Sequence, residues 1–317
     1  MIVVAGEALV DLVDEGDGLF RAVAGGSPAN VAVGLSRLGT PTEFLARLGT
    51  GRFGQIVRSH LIGSGVGLTY AVPTTAPATV AVVSVAEDGH ASYDFYVDGT
   101  ADWGWSHDEL PAALPSEAVA LCTGSLAVAM EPGATALTAL MRREHDRGAV
   151  AIVLDPNLRP ALVGPRDRAR DRLATQVGLA DVVKVSDEDL AWIAPGENAE
   201  EVATSWLGAG PALVVVTRGG DGAIAMTGHG ARVDVPARRV EVVDTVGAGD
   251  AFTAGLVDAL RRHDLLGPGA HDRLARCGTT TLRDVAEQAN LVAALTTARR
   301  GADPPTAAEL AAAVDEA

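Results

Sequence analysis

Short β-branched runs alternate along this chain with alanine-rich amphipathic stretches. The runs at 150–154, 181–185 and 213–217 are predicted to be buried strands, and the stretches near 133–147, 166–178, 199–208 and 284–299 are predicted to be helices. Such alternation is typical of βαβ units, in which helices cover both faces of a mostly parallel sheet. No repeat or linker divides the sequence. We therefore predict an α/β protein with a three-layer α/β/α core, formed by residues 1–317 as a single domain.

Two early segments, at about 12–23 and 77–101, depart from this alternation. The first has two short apolar runs on either side of an acidic, glycine-rich turn. The second has runs at 79–85 and 91–97 on either side of Glu87-Asp88-Gly89-His90, where Asp-Gly is a strong hairpin signal. We predict that both segments add antiparallel strands to the parallel core. Five of the twelve aromatic residues lie in or beside the second segment: Tyr93, Phe95, Tyr96, Trp103 and Trp105. Three roles are open for them: they could cover a ligand, pack against a second copy in a homodimer, or fill the core of a thin sheet.

Composition argues against several classes of protein. The formal net charge of −16 disfavours nucleic acid and anionic membranes as partners. The first residues lack a basic stretch, and no apolar run reaches the length of about 18 residues expected of a membrane helix, so neither a signal peptide nor a membrane span is predicted. Cys122 and Cys277 are too few and too far apart for a disulfide framework or a zinc site. We therefore predict a cytoplasmic protein.

The sequence DTVGAGDAF, at 244–252, combines two glycines with a carboxylate at the predicted start of a helix. Residues 240–243 are predicted to form the preceding strand, and the helix is predicted to extend over about 251–262. Backbone amides at a glycine-rich helix start can approach an anion closely, and the helix dipole adds partial positive charge there. Beside a bound phosphate, Asp250 is best explained as the general base for a hydroxyl that attacks phosphorus. The alternative is a carboxylate that only stabilises the helix.

This nonapeptide resembles the signature of the ribokinase-like, or PfkB, family of sugar and nucleoside kinases, and the resemblance extends over most of the chain. It implies a ribokinase-like fold in which the two early segments form a small β-lid over the sugar site. It also implies phosphorylation of a sugar hydroxyl by ATP and Mg²⁺. Asp250 would be the base, and the backbone of Gly247, Ala248 and Gly249 would surround the transferred phosphoryl group.

Three further segments carry the resemblance on the sugar side. In GGSPAN, at 25–30, Ser27 and Pro28 are suited to begin a helix as N-cap and first helical residue, which leaves the glycine pair and Asn30 for the sugar. The sequences GEALVD, at 6–11, and DPNLRP, at 155–160, are similar to those of fructokinase-like members. The residues that the resemblance implies as sugar ligands, in addition to Asp250, are Asp11, Gly25, Gly26, Asn30, Tyr96 and Arg159.

On the nucleotide side, the strand predicted at 213–217 precedes RGGDG, which is either a phosphate cradle or a plain hairpin. Lys184, the only lysine of the sequence, either approaches the nucleotide or pairs with the acidic residues that follow it. The nucleotide-binding residues implied are Lys184, Ser186, Thr217, Gly219, Gly222, Gly249 and Asn290. The residues implied to hold Mg²⁺ through water, where the family often has Asn-x-x-Glu, are Asp189 and Glu188. The residues similar to a loop for a monovalent cation such as K⁺ are Asp244, Val246 and Gly301.

Together these segments predict an ATP-dependent sugar kinase of the fructokinase type, which phosphorylates a primary hydroxyl. Within the family the runner-up is a 2-keto-3-deoxygluconate kinase. It is disfavoured because Val97 follows Tyr96 at a position where many keto-sugar kinases have an arginine. From other classes, Lys184 on an apolar strand suits a Schiff-base aldolase, and the scaffold also suits a sugar-binding protein without activity. The DTVGAGDAF signature argues against the first alternative, and Asp250 argues against the second.

Overall fold

The computed structural model describes residues 1–85 and 91–315. Its strands are β1 (Ile2–Ala5), β2 (Leu9–Gly16), β3 (Leu19–Gly25), β4 (Thr42–Leu45), β5 (Arg47–Gly49), β6 (Val72–Thr74), β7 (Val80–Val85), β8 (Ala91–Tyr96), β9 (Ala120–Gly124), β10 (Ala151–Asp155), β11 (Val182–Ser186), β12 (Leu213–Thr217), β13 (Ala223–Thr227) and β14 (Arg232–Val235). Its helices are α1 (Ser27–Arg37), α2 (Arg52–Gly63), α3 (Gly133–Arg147), α4 (Arg166–Val177), α5 (Asp187–Ile193), α6 (Ala199–Leu207), α7 (Ala248–Arg262), α8 (Ala270–Ala275), α9 (Thr279–Thr297) and α10 (Ala307–Asp315). None of these helices is long and apolar enough to cross a membrane.

The larger sheet orders its described strands as β14-β13-β12-β11-β10-β9-β1-β4. Neighbours from β12 to β4 are parallel, whereas β13 and β14 are antiparallel additions at one edge. Val4 and Val153 pack on the helical layer of α1, α7 and α9, while Val3 and Leu154 pack on the layer that contains α3 and α4. The three-layer α/β/α core predicted from the sequence is therefore confirmed.

A smaller sheet, which we call the lid, has the strand order β3-β2-β7-β8. The pairs β2–β3 and β7–β8 are antiparallel hairpins, as predicted, and the parallel pair β2–β7 joins them. The predicted turn at Glu87-Asp88-Gly89-His90 lies outside the described residues. Trp103 and Trp105 are 4% and 3% exposed and belong to the buried core. Tyr96, at the end of β8, is 63% exposed, and its predicted contact with sugar stays a prediction.

One buried carboxylate fixes the place where the chain enters the lid. Asp102 accepts a hydrogen bond from the amide of Ala8 (2.9 Å), just before β2. It also accepts from the amide and the hydroxyl of Thr79 (3.3 and 2.5 Å), just before β7. Two of the chain segments that lead into the lid are therefore held at a single point.

The strand predicted at 240–243 is wrong. These residues form an irregular segment between β14 and α7, in which Val242 and Val243 are 61% and 59% exposed. The amide of Val243 donates to Thr297 O at 2.8 Å, at the carboxyl end of α9. A β-branched composition favours extended backbone, but a strand also needs a neighbouring strand. Here the neighbour is the end of a helix.

Candidate active site

The carboxyl ends of the parallel strands and the start of α7 meet at one edge of the larger sheet. β10 ends at Asp155, and β11 carries Lys184, which forms an ion pair with it. Thr253 of α7 donates to the same Asp155 carboxylate, which places the first turns of α7 against these strands. Ligands of such sheets bind outside the carboxyl ends of the strands. Motifs that are far apart in the sequence are thus brought together.

Asp250, in the first turn of α7, is 7% exposed. Ser27 Oγ donates to its Oδ1 (2.7 Å), Asn30 Nδ2 donates to its Oδ2 (2.8 Å), and Asn157 Nδ2 lies 3.5 Å from Oδ1. Burial raises the pKa of Asp250; the bonds from Asn30 and Ser27 lower it in part, and the charge of Asp155 raises it further. A held carboxylate with a raised pKa is suited to accept a proton near neutral pH.

Ser27 is a site residue that sequence reasoning missed. Its predicted role as N-cap is wrong, because Gly26 occupies the N-cap position of α1 and Ser27 is the first helical residue. The hydroxyl donates instead to Asp250, 223 positions along the chain. No local signal reveals this contact, since helix capping is a sufficient explanation for a serine before a proline.

The glycine pair before α1 makes room for carboxyl and carbonyl groups. A Cβ on Gly25 would collide with the carboxylate of Asp11, which projects from β2. Burial raises the pKa of Asp11 to about 6, and the charge of Asp250 adds to the shift. Gly26 has a φ of 104°, and a Cβ there would lie 2.9 Å from the carbonyl oxygen of Glu7. The pair therefore shapes the backbone of the site, while its contact with sugar stays a prediction.

Glu7 lies behind this turn rather than among the proposed ligands. Its side chain is buried, and Oε2 accepts from the amide of Ala127 at 3.0 Å. Burial raises the pKa of Glu7 to about 7, while hydrogen bonds from Ser125 and the backbone lower it in part. The residue ties the segment between β1 and β2 to the short turn that follows β9.

The loop after β10 connects the parts of the site. The Leu158 amide donates to Asp189 Oδ1 (3.0 Å), and Asn157 approaches Asp250. Arg159, a predicted sugar ligand, is exposed and folds back on the loop, where Nη1 donates to Asn157 Oδ1 (2.7 Å) and to Leu158 O (3.0 Å). The guanidinium is therefore linked to Asp250 through one amide side chain.

Lys184 is 4% exposed, and its Nζ lies 2.9 Å from Asp155 Oδ2. Its partner is thus on the neighbouring strand, not among the acids that follow it in sequence. Burial alone would lower the pKa of Lys184, but the charge and hydrogen bond of Asp155, with the charges of Asp189 and Asp250, raise it. A lysine held in its charged form is not a nucleophile, which argues against the Schiff-base aldolase alternative.

The other oxygen of Asp155 is buried and has no hydrogen-bond partner among the described residues. Asp155 lines a cavity of about 10 Å³, roughly the volume that one water molecule needs. Three hydroxyl-bearing residues line the same cavity: Ser27, Thr123 and Thr253. The rest of the lining is mostly apolar and includes Val4, Val31 and Val153.

The start of α7 supplies backbone amides to the site. In the first helical hydrogen bond of α7, the amide of Ala251 donates to Gly247 O at 2.8 Å. The amides of Gly249 and Asp250 come before this bond, so they have no acceptor within the helix. Gly247 has a φ of 76°, and a Cβ there would contact Ala302 Cβ at 2.5 Å. A Cβ on Gly249 would instead approach only Lys184 Nζ, at 3.3 Å. Amides, helix dipole and lysine make this the positive end of the site.

The two residues predicted to order Mg²⁺ differ in position. Asp189 is half-buried; burial and the charge of Asp155 raise its pKa, while the charge of Lys184 lowers it. The backbone amide of Asp189 donates to Ser186 Oγ (3.0 Å), so Ser186 is the N-cap of α5. Glu188 is exposed. Asp189 therefore belongs to the charged cluster, and Glu188 lies on the surface.

The remaining predicted nucleotide residues lie around the end of β12. Thr217 ends this strand, and Gly219, with a φ of 51°, has open space where a Cβ would be. Gly222 has a φ of 90°, and a Cβ there would collide with Val235 O. Asn290 is buried, and its Nδ2 donates to Val235 O (3.3 Å) and to the next carbonyl. Gly222 and Asn290 thus hold the end of β14, and contact with nucleotide stays a prediction.

The loop predicted to bind a monovalent cation is assembled in the structure. Asp244 Oδ1 accepts from the Val246 amide (3.0 Å), and Oδ2 accepts from the Gly301 amide (2.8 Å), 57 positions away. These bonds bring the segment before α7 against the turn after α9. The cation itself stays a prediction.

Comparison with known proteins agrees with this geometry. The family model described as pfkB family carbohydrate kinase matches residues 1–309. The chain is 37% identical over 270 residues to a fructokinase of Rhizobium leguminosarum bv. trifolii, covering 84% of this chain and 81% of that protein. The crystal structure of a Xylella fastidiosa fructokinase with bound ATP matches with a TM-score of 0.91 at 29% identity, over 99% of this chain and 98% of that one. A Vibrio cholerae O395 fructokinase crystallised with fructose, ADP and calcium ion matches with a TM-score of 0.84 at 30% identity, over 98% and 97%. The chain belongs to the pfkB family of carbohydrate kinases.

Proposed function

We propose that this protein is an ATP-dependent fructokinase, which transfers the terminal phosphoryl group of ATP to the 6-hydroxyl of D-fructose. The observation that carries the proposal is the position of Asp250, a buried carboxylate with a raised pKa at the amide-lined start of α7. The fructokinase of Rhizobium leguminosarum bv. trifolii and the fructose-bound enzyme of Vibrio cholerae support the choice of sugar.

Asp250 accepts the proton of the sugar hydroxyl while the hydroxyl oxygen forms a bond to the γ-phosphorus. The bond from that phosphorus to the bridging oxygen breaks, and ADP leaves with the electron pair. Ser27 and Asn30 hold the carboxylate in place through the two bonds already described. The amides of Gly249 and Asp250 stabilise the negative charge on the transferring group, and the nearby charge of Lys184 adds to this effect.

Mg²⁺ fits this site as a partner of the nucleotide phosphates rather than as an ion in a protein cage. Within residues 1–85 and 91–315, no group of three or more histidine, cysteine or acidic side chains could hold a metal ion. Mg²⁺ in kinases usually takes one or two carboxylates and completes its shell with phosphate oxygens and water. Asp189 would supply such a carboxylate, and the bound ion would neutralise phosphate charge.

A monovalent cation such as K⁺ would lie at the loop that Asp244 ties to Gly301. The two amide bonds to Asp244 fix the neighbouring backbone, and fixed carbonyl groups are the ligands that such ions take. Replacing KCl by choline chloride at constant ionic strength tests this point. We expect a lower kcat without K⁺, and an unchanged kcat would remove the cation from the proposal.

A second candidate function is a 2-keto-3-deoxygluconate kinase. It is favoured by the exposed guanidinium of Arg159, whose planar fork suits the carboxylate of an acidic sugar. Val97, which stands after Tyr96 in place of an arginine, weighs against it.

A coupled ADP-release assay with purified protein, ATP and Mg²⁺ tests the proposal. The sugar panel contains D-fructose, D-ribose, adenosine and 2-keto-3-deoxygluconate, and a reaction with heat-denatured protein is the inactive control. We expect D-fructose to give the highest kcat/KM. A preference for 2-keto-3-deoxygluconate would replace the proposed function by the second candidate, and turnover no higher than that of the control with every sugar would end it.

We further propose that two copies pair through their lids. Leu19 and Phe20, on the edge strand β3, are 66% and 49% exposed, and exposed apolar side chains on an edge strand favour a protein contact. Light scattering after size exclusion should give a dimer for the native protein and a monomer for Phe20→Glu. A native monomer at assay concentration would contradict this pairing.

For location we propose the cytoplasm. It supplies ATP and keeps thiols reduced, which accords with the two cysteines, Cys122 and Cys277, being unpaired and buried. Fractionation of cells that express the protein at its native level would test this.

A further inference from the structure

The side chain of Asn157 links two charged groups of the site. Its Oδ1 accepts from Arg159 Nη1 at 2.7 Å, and its Nδ2 lies 3.5 Å from Asp250 Oδ1. Chemistry fixes the orientation of this amide, because an arginine has only donors and an ionised carboxylate only acceptors. The amide oxygen must therefore face Arg159, and the amide nitrogen must face Asp250.

The backbone holds Asn157 in a conformation suited to this contact. Its φ is 37°, in the left-handed region that asparagine tolerates better than most residues and that is often found at functional sites. The loop is fixed on both sides, since Asp155 is paired with Lys184 and the Leu158 amide donates to Asp189. The backbone on both sides of Asn157 is thus held by other elements of the site.

The contact with Asn157 is the adjustable one among the three donors to Asp250. Ser27 and Asn30 bond the carboxylate at 2.7 and 2.8 Å, whereas the Asn157 distance of 3.5 Å is at the outer limit of a hydrogen bond. A shift of a few tenths of an ångström in the Asn157 side chain therefore changes the donation to Oδ1 while the other two bonds remain.

We propose that Asn157 is a positioning residue that couples the engagement of sugar by Arg159 to the basicity of Asp250. While Arg159 bonds the amide oxygen, it polarises the amide, and the amide nitrogen is a stronger donor to the carboxylate. When Arg159 turns to a sugar oxygen, this donor weakens and Asp250 becomes a stronger base. The inference rests on the proposed function, because it takes Arg159 as a sugar ligand and Asp250 as the base.

Other charged groups act on Asp250 from the elements around it. They are Asp11 from β2, Asp155 from β10 and Lys184 from β11, while the contacts from α1 are uncharged. All of these groups remain in variants at positions 157 and 159. Differences among such variants therefore isolate the path through Asn157.

A double-mutant cycle of Arg159→Ala and Asn157→Gly tests the coupling. Glycine at 157 removes the side chain and accepts the positive φ without strain. The readouts are the acid limb of kcat/KM for D-fructose and the carbon-13 titration of the Asp250 carboxyl in the sugar-free protein, assigned with Asp250→Asn. We expect Arg159→Ala to raise the pKa of Asp250 by about 0.1–0.4 pH units in the native background, and to leave it unchanged beside Asn157→Gly. We also expect Asn157→Gly itself to raise the pKa of Asp250 in the sugar-free protein, because it removes the donor to Oδ1.

Each outcome of the cycle decides the question. An equal shift in both backgrounds would show that Arg159 acts on Asp250 through space, and no shift in either would show no coupling; both overturn the inference.

Asn157→Asp keeps the acceptor for Arg159 but replaces the donor by a like charge, and should raise the pKa of Asp250 further. Asn198→Ala, which removes the N-cap of α6, is the control for an asparagine that matters only for stability. If the native protein phosphorylates no sugar, the proposed function fails, while the titration still decides the coupling.

Discussion

Lys184 Nζ lies 2.9 Å from Asp155 Oδ2, with side chains 5% and 6% exposed, and the pair borders Gly249 at the start of α7. It joins two neighbouring strands of the sheet and places a positive charge behind the amides proposed to hold the phosphoryl group. A buried pair gains little net stability, because desolvation offsets the attraction between the charges. Breaking such a pair is different, since the remaining charge stays buried without compensation.

Lys184→Met should therefore lower the free energy of unfolding by about 3–5 kcal/mol, because the Asp155 carboxylate loses its counter-charge. Lys184→Met/Asp155→Asn should recover most of this loss in urea unfolding, yet kcat should stay low in both variants. Arg21→Met, which breaks the exposed pair of Arg21 with Glu15, is the control and should cost less than about 1 kcal/mol. A double variant as unstable as Lys184→Met would show that the pair is not the cause.

Asp250→Asn should lower kcat by about 10² to 10⁴ while KM for sugar and ATP changes little, since the amide keeps the shape of the carboxylate but cannot take a proton. Steady-state kinetics on the folded variant measure this. Asp146→Asn, at an exposed position of α3, is the matched control and should retain full activity. Turnover close to that of the native protein in Asp250→Asn would exclude the proposed base.

Substitutions of the two glycines in the turn Gly247-Ala248-Gly249, which we call the GAG turn, should have different effects. Gly247→Ala forces a left-handed φ on a residue with a side chain and pushes against Ala302, so it should destabilise the fold by about 2 kcal/mol or more. Gly249→Ala meets only the end of Lys184 and should fold normally, but kcat should fall by about 10² because its methyl group lies where the phosphate must approach. Thermal unfolding and kcat together separate the two cases. A fully active Gly249→Ala enzyme would show that this glycine serves only the local backbone.

Features formed by residues that are close together in the sequence could be predicted from it. The GAG turn, the helix after it and Asp250 are local in sequence, so residue types and spacing were sufficient to predict them. The same holds for β12 and α3, where long hydrophobic patterns agree with the bounds observed. The family resemblance then implied that distant motifs share one site, and the structure brings them together at the sheet edge.

The contacts that sequence reasoning missed join residues far apart. Ser27 donates a hydrogen bond to Asp250, 223 positions away in the sequence. Lys184 pairs with Asp155 on the neighbouring strand rather than with the acidic residues that follow it. In both cases a local explanation was available, helix capping for the serine and nearby carboxylates for the lysine. The strand predicted at 240–243 failed for the related reason that sheet pairing depends on which element lies alongside.

Glu7 should give the protein a measurable dependence of stability on pH. Burial raises the pKa of Glu7 to about 7 from an ordinary 4.5, so the folded state binds this proton more tightly than the unfolded chain. The contribution is fully present below the unfolded pKa and is lost as pH rises through 7, by about 3 kcal/mol at most. Urea unfolding should thus show that Glu7→Gln becomes more stable relative to the native protein between about pH 5 and pH 8. A constant difference across this range would mean that Glu7 titrates normally.

Sugar should close the lid. Asp102 holds the entries to β2 and β7 at one point, and a small sheet beyond such an anchor has little core of its own, so it should open locally at low free energy. Closure would exclude water from the phosphoryl group and align the sugar hydroxyl with Asp250. D-fructose should therefore slow amide hydrogen exchange in Leu19–Gly25 and Val80–Val85 more than in the buried strand Ala151–Asp155, which serves as the internal reference. Equal protection of all three strands with and without sugar would mean that these strands are fixed structure and that no lid closes over the site.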